Sequence, residues 1–230
     1  MTEEELDELV AHYGKHRKAF SGFLSNVIDF FLDDNEALID AEGRMVIHSV
    51  KARLKDPVHL RAKLKRKAVG RKEITASNLF SNITDFCGAR IMHLRRSDFD
   101  VIHSAILAHV QNLHWHFAEE PKAYTWDPEY KSYFDALGLR NEVKESFYTS
   151  VHYLVRPNPD SIITCEIQVR SLFEEIWGEV DHELNYPNPT DSKACSEQLK
   201  VLAKLVGAGT RLVDSIYNSA KAHRELRSGG

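Results

Sequence analysis

Two runs that alternate with a period of two, residues 148–155 (YTSVHYLV) and 162–169 (IITCEIQV), flank a turn at Asn158-Pro159-Asp160. Alternation on both sides of so short a break is the pattern of a β-hairpin, so the chain must build a sheet around it. A third apolar run, residues 88–94 (GARIMHL), reads as a buried strand. Elsewhere the spacing is helical. Leu6, Leu9, Val10, Phe20, Phe23, Leu24, Val27, Ile28 and Phe31 recur at intervals of three and four between residues 3 and 34. A second amphipathic helix is expected over 41–54. Asp56-Pro57 is an N-cap followed by proline in the first turn, opening a helix that ends near Val69-Gly70. Residues 97–113 and 171–184 repeat the helical spacing, and after the Pro187 and Pro189 break a last helix is expected over 192–225. Residues 115–145 carry aromatics and charges without a clean period, and are expected to form a strand edge and a long loop. Helices on a small mixed sheet define an α+β domain. Its expected parts are an N-terminal helical segment (1–44), a core (45–190) and a C-terminal helix (191–230).

Hydrophobic residues make up 43% of the 230 and charged residues 28%, the balance of a soluble globular protein. No apolar run reaches the roughly 20 residues that span a bilayer. The acidic start MTEEELDELV lacks the basic-then-apolar order of a signal peptide. Three cysteines stand singly with no CxxC pair, which argues against a disulfide framework and a structural zinc site. A reduced, cytoplasmic protein with no membrane partner is expected. The net charge of −4 hides an asymmetry: residues 51–72 (KARLKDPVHLRAKLKRKAVGRK) are densely basic, whereas the first 42 residues and 166–183 are acid-rich. A basic cluster in an acidic chain implies a localised anion site or a solvated helix face.

Three constellations carry chemistry. On the helix opened by Pro57, His59, Lys63 and Arg66 fall at i, i+4 and i+7 and form one stripe, beside an apolar stripe of Leu60, Leu64 and Ala68. Arg53 and Lys55 precede it in an alternating, extended manner, so helix amides and several cations together make a polyphosphate cradle. Next, Asp85 stands just before the GARIMHL strand, and Glu166 lies inside IITCEIQV. Both have apolar neighbours that make an unpaired charge costly. If their strands adjoin, the two carboxylates suit one magnesium ion, which needs only one or two plus substrate phosphates. Local pairing, Asp85 with Arg90 and Glu166 with Arg170, is the alternative. Finally, Tyr148, Ser150 and His152 share one face of their strand against Val151, Tyr153 and Val155 on the other. They form either a site-facing surface, with Lys144 and His152 suited to phosphate, or ordinary cross-strand pairs.

In order and spacing, RLKDPVHLRAKLKRK, TDFCGARIMHL, KESFYTSVHYLV and CEIQVRSLFEEIWGEVDHELNY resemble the RelA/SpoT alarmone-synthetase domain. The resemblance spans residues 45–186 and includes the W-x-x-x-x-H element from Trp177 to His182. It implies a five-stranded mixed sheet flanked by helices, related to nucleotidyltransferases. It implies that Arg53 and Arg90 sandwich the adenine of ATP, and that Lys55, Lys63 and Arg66 hold its phosphates, with His59 at a position facing them. Asp85 and Glu166 are implied as ligands of Mg2+, with Glu166 also the base for an acceptor 3′-hydroxyl. Tyr148 is implied to stack on guanine, Lys144 and His152 to touch acceptor phosphates, and Gln168 to contact the acceptor.

The implied activity is pyrophosphate transfer from ATP to GDP or GTP, giving ppGpp or pppGpp. The family's hydrolase domain has no counterpart here, so no hydrolysis is expected. Stand-alone members imply a homotetramer through terminal helices. Toxic relatives transfer instead to an adenine nucleotide or the tRNA 3′ end. For tRNA, Lys200, Lys204, Arg211, Lys221, Arg224 and Arg227 are the candidate surface. An inactive nucleotide-binding regulator is a further reading. Two positions depart from the family. His59 replaces a serine, and Phe147 replaces the glycine before the tyrosine. Phe147 is expected to be unable to take glycine's backbone conformations and to add bulk beside the acceptor pocket.

Overall fold

Thr2 opens the first helix with a capping box: its side chain accepts from the Glu5 amide, and the Glu5 carboxylate accepts from the Thr2 amide. The computed structural model describes residues 1–33, 35–68, 73–186 and 188–228. Asp34, the expected helix end at Val69-Gly70, the basic pair Arg71-Lys72 and the Pro187 break lie outside the described residues. The first helix, α1 (Glu3–Leu32), carries Leu6, Tyr13, Phe20, Val27 and Phe31 into the main core. No helix follows over 41–54. Gly43, at φ +75°, closes a turn through its amide to Asp40, and β1 (Ser49–Leu54) follows. The segment is extended instead, because the turn at 40–43 folds Met45 back against Ile39 in a β-bridge and residues 49–54 take their hydrogen bonds from an antiparallel partner strand.

Asp56 caps α2 (Pro57–Ala68) as its sequence requires, accepting from the Val58 amide at 2.7 Å. A short helix, α3 (Leu79–Asn82), leads to β2 (Cys87–His93) and α4 (Arg96–Gln111). The stretch 115–145 carries four short elements: β3 (His116–Phe117), β4 (Lys122–Tyr124), α5 (Pro128–Ala136) and β5 (Arg140–Glu142). The long loop expected there is therefore replaced by short elements. Its helix bears the same Asp-Pro signature as α2, with Asp127 accepting from the Glu129 amide at 2.9 Å. The hairpin forms from β6 (Ser150–Arg156) and β7 (Cys165–Ser171), and Tyr148 falls before its first strand. Ser171 then caps α6 (Leu172–Asn185) with a second capping box, and α7 (Lys193–Ser228) ends the described chain.

The sheet is mixed and has seven strands, two more than expected, in the order β1-β2-β7-β6-β4-β5, with β3 paired to β6. The extra strands are short pairings of two or three residues from the 115–145 stretch. Along the central strands one face is apolar: Ala89 and Ile91, Ile167 and Val169, Val151, Tyr153 and Val155 all join the core with α1 and α4. The opposite face is polar, and the site is built there.

Candidate functional site

The registers align a polar row across the sheet. Lys51 pairs with Arg90, Arg90 with Gln168, Gln168 with His152, and His152 with Lys122. One step along, Arg53 stands opposite Gly88 and Gly88 opposite Glu166. Since side chains alternate with a period of two, all of these share one face. Parallel pairing of β2 with β7 makes their strands neighbours, the condition on which a joint carboxylate site depended.

At the β1–β2 end lie two adjoining cavities. One, of about 260 Å3, is lined by Lys51, Arg53, Asp85, Gly88, Arg90, Glu166, Gln168 and the α6 residues Glu179 and His182. The other, of about 250 Å3, is lined by Arg53, Lys55, His59, Lys63, Arg66, Asp85, His182 and Tyr186. The α2 stripe therefore faces a cavity, while Leu60 and Leu64 on its neighbouring stripe are fully buried. Among the described residues Arg53 and Arg66 have no carboxylate partner, so these guanidiniums stand uncompensated at the cavity wall. All six expected donor-side residues, Arg53, Lys55, His59, Lys63, Arg66 and Arg90, line one cavity or the other.

Asp85 and Glu166 both line the first cavity. Asp85 pairs with Lys55 at 2.8 Å and Lys63 at 2.7 Å. Burial raises its pKa, but the two ammoniums outweigh that and hold it at about 2. Glu166 accepts from Gln168 Nε2 at 2.7 Å and lies 3.2 Å from His152 Nδ1. Burial again pushes up, and the His152 contact leads a set of interactions that leaves it below the ordinary carboxylate range. Both groups are thus ionised at neutral pH, and neither takes the local Arg90 or Arg170 partner. The donor set fits a divalent cation of magnesium type: two ionised carboxylates are enough when substrate phosphates complete the shell. Asp85 Oδ1, buried and contacted by Lys63, accepts no directed hydrogen bond and keeps a lone pair for such an ion. Among the described residues no cluster of three or more metal-ligating side chains exists.

On the other side of Glu166, Tyr148 Oη lies 2.9 Å from His152 Nε2, completing a Tyr148–His152–Glu166 chain. The Tyr124 ring packs against both His152 and Tyr148, and Lys144 Nζ sits 4.3 Å above it. The four expected acceptor-side residues Lys144, Tyr148, His152 and Gln168 therefore gather around Tyr124 and Glu166. The face expected from alternation holds for Ser150 and His152. Tyr148 reaches it from the preceding turn.

That turn corrects one expectation. Phe147 adopts φ +66°, the left-handed conformation natural to glycine. Its amide donates to Lys144 O at 3.0 Å, and its ring stacks on Trp126 at 4.9 Å with an interplanar angle of 12°. Phe147 joins a second cluster with Trp177, Ala203 and Val206, so its bulk is absorbed between the turn, α6 and α7.

His182, Tyr186, Glu175 and Glu179 are site residues that the sequence reading left unassigned. His182 and Tyr186 stack at 4.8 Å, four residues apart on and just past α6, and His59 meets Tyr186 edge-on. The W-x-x-x-x-H spacing was the available signal for His182.

The family described as "Region found in RelA / SpoT proteins" matches residues 52–191. No curated protein sequence matches the chain. Among solved structures, the small alarmone synthetase 1 of Bacillus subtilis bound to its product pppGpp is similar at 18% identity. It has a TM-score of 0.60 and covers 89% of this chain and 93% of its own. The same synthetase bound to AMPCPP is similar at 15% identity and TM-score 0.57, covering 95% and 99%. A GTP pyrophosphokinase family protein of Streptococcus pneumoniae is similar at 18% identity and TM-score 0.56, covering 92% and 93%. At these identities the likeness is one of fold. Among the described residues no helix is long and apolar enough to cross a membrane.

Proposed function

The chain belongs to the RelA/SpoT family, and on that premise we propose that it transfers the β,γ-diphosphate of ATP to the 3′-hydroxyl of GDP or GTP. The observation that carries this reading is the position of Glu166. This ionised carboxylate stands between a cavity walled by Arg53, Lys55, Lys63, Arg66 and Arg90 and the Tyr148–His152 cluster. The cations suit a polyphosphate donor and the cluster suits a base and its phosphates. That solved relatives hold pppGpp and AMPCPP is in keeping with two nucleotide subsites.

The acceptor 3′-oxygen attacks the β-phosphorus, an O3′–Pβ bond forms, and the bond from Pβ to the α,β-bridging oxygen breaks, releasing AMP with that electron pair. Glu166 takes the hydroxyl proton. A base of depressed pKa suffices, because a loose phosphoryl transition state asks for alignment and charge neutralisation more than for strong deprotonation. Arg53 and Arg90 flank the purine, and Lys55, Lys63 and Arg66 neutralise charge on the phosphate oxygens. Magnesium held by Asp85 and Glu166 would supply further neutralisation of the phosphates. When polyphosphate enters, Lys55 and Lys63 exchange Asp85 for phosphate oxygens.

Transfer to tRNA would call on the cations of α7. Lys200 is bonded to Glu197, Arg211 to Asp127 and Lys221 to Glu42, so much of that surface is neutralised within the chain and a free nucleotide is the better acceptor. The test is transfer from β,γ-labelled ATP with magnesium to GDP, GTP, ATP and deacylated tRNA offered separately, with Glu166→Gln as control. Label on a guanine nucleotide, lost in the control by at least about a hundredfold, is the expected result. Label on tRNA or an adenine nucleotide would replace the acceptor assignment, and ATP binding without transfer would make the chain a nucleotide-binding regulator.

A further inference from the structure

Glu175 of α6 sits at the centre of a charge network beneath the donor cavity. Its Oε1 lies 2.8 Å from Lys51 Nζ and 3.4 Å from Arg90 Nη1, and its Oε2 lies 2.6 Å from Arg170 Nη2. Glu179, one turn further on, meets the same Arg90 nitrogen at 2.7 Å. The side chain of Arg170 is 3% exposed and that of Glu175 8%, so this pair is no solvated surface bridge. Gly178 permits the arrangement: a Cβ there would stand 2.5 Å from Arg170 Nη1, so the guanidinium would have to shift from its place against the helix. Arg170 therefore fixes Glu175 from the inside. The other carboxylate oxygen is turned to two cations from separate strands, Lys51 of β1 and Arg90 of β2, and both line the cavity.

We propose that Glu175 is a positioning residue of the donor site, holding Arg90 and Lys51 in place on the sheet before ATP arrives. The inference rests on the reading that this cavity takes ATP. A long cationic side chain gives up rotamer freedom when it is fixed against a ligand, and that cost is lowered when a buried carboxylate already restrains it. Tethering by Glu175 and Glu179 together leaves the Arg90 guanidinium ordered for the purine. A carboxylate serving only to dock α6 on the sheet would have no effect on ATP once the fold was intact.

The measurements are ATP affinity by calorimetry in the absence of acceptor, and steady-state constants for both substrates, in Glu175→Gln. The amide keeps the size and removes the charge. Kd and KM for ATP are expected to rise about three- to tenfold, with kcat and the acceptor KM held within about twofold. In an Arg90→Gln, Lys51→Gln background the same substitution is expected to add little, since Glu175 acts through those two side chains. A lowered melting temperature with unchanged ATP affinity would reduce Glu175 to a docking residue and overturn the inference. Should Glu175→Gln fail to fold, Glu175→Asp keeps the charge but shortens its reach to Lys51 and Arg90, and ATP affinity unchanged there overturns it too. Wild-type protein that binds no ATP would sink the reading of the cavity itself, whereas equal binding by wild type and variant would sink only the role of Glu175.

Discussion

Phe147 pays a conformational penalty that its neighbours absorb. A side chain in the left-handed region costs about 1–2 kcal/mol, and a stacked aromatic pair returns about 0.5–1.5 kcal/mol beyond its burial. The Trp126 stack at 4.9 Å therefore comes close to offsetting the φ of +66°. The order of two substitutions follows. Phe147→Ala loses the stack and keeps the strain, whereas Phe147→Gly loses the stack and relieves the strain. Glycine is expected to be the more stable of the two by about 1 kcal/mol, the reverse of the usual order in regular structure. Urea midpoints of the two variants check this, and alanine equal to or above glycine would show that the turn is unstrained. Because Tyr148 follows directly, the alanine variant is also expected to weaken acceptor KM more than ATP KM.

At the scale of elements, α5 shows how a tie between distant segments is built on a local signal. Asp127 caps that helix and also pairs with Arg211 of α7, through different carboxylate oxygens. Asp127→Ala removes the cap and the tie and is expected to cost about 2 kcal/mol, whereas Asp127→Asn keeps the cap and is expected to cost about half as much. Chemical denaturation of the pair separates the two contributions. The helix was legible in principle, since Asp127-Pro128 repeats the Asp56-Pro57 signal that correctly marked α2. The surrounding strands were not: β3, β4 and β5 are two or three residues long, too short to display a period. The same physics divides the site. The stripe of His59, Lys63 and Arg66 was readable because one helix carries it. Asp85 and Glu166 were readable as charges in apolar runs. The partners of Asp85, Lys55 and Lys63, depend on how α2 sits beside β2, and the Glu175–Arg90 contact depends on how α6 lies across the sheet. Local patterning specifies neither.

Across the whole molecule, acid sensitivity is set by buried imidazoles as well as by carboxylates. His93 is buried, which pushes its pKa down to about 4, and a hydrogen bond to the Arg95 carbonyl at 2.8 Å only partly opposes this. Burial lowers His103 and His109 as well. The unfolded chain takes up these protons near pH 6.5 while the native state refuses them, so stability is complete above that pH and falls as pH drops toward 4. His93 alone is expected to remove about 2 kcal/mol between pH 7 and pH 5. Urea midpoints at the two pH values test this, and His93→Gln is expected to flatten the slope by that amount. Asp85, held near 2, contributes its loss only in stronger acid. The sheet itself is unevenly built. The cation-walled cavities rest on β1, β2 and β7, strands of six or seven residues, whereas Lys144 and Tyr148 sit in the turn before β6, beside β4 and β5, strands of three. On the proposed reading, such a division makes the two sides unequal in evolvability: substitutions at the short-stranded edge would change the acceptor while the long central strands, and the proposed ATP cavity on them, stay as they are. A lineage built this way would explore new recipients for the proposed diphosphate transfer without first reinventing its donor.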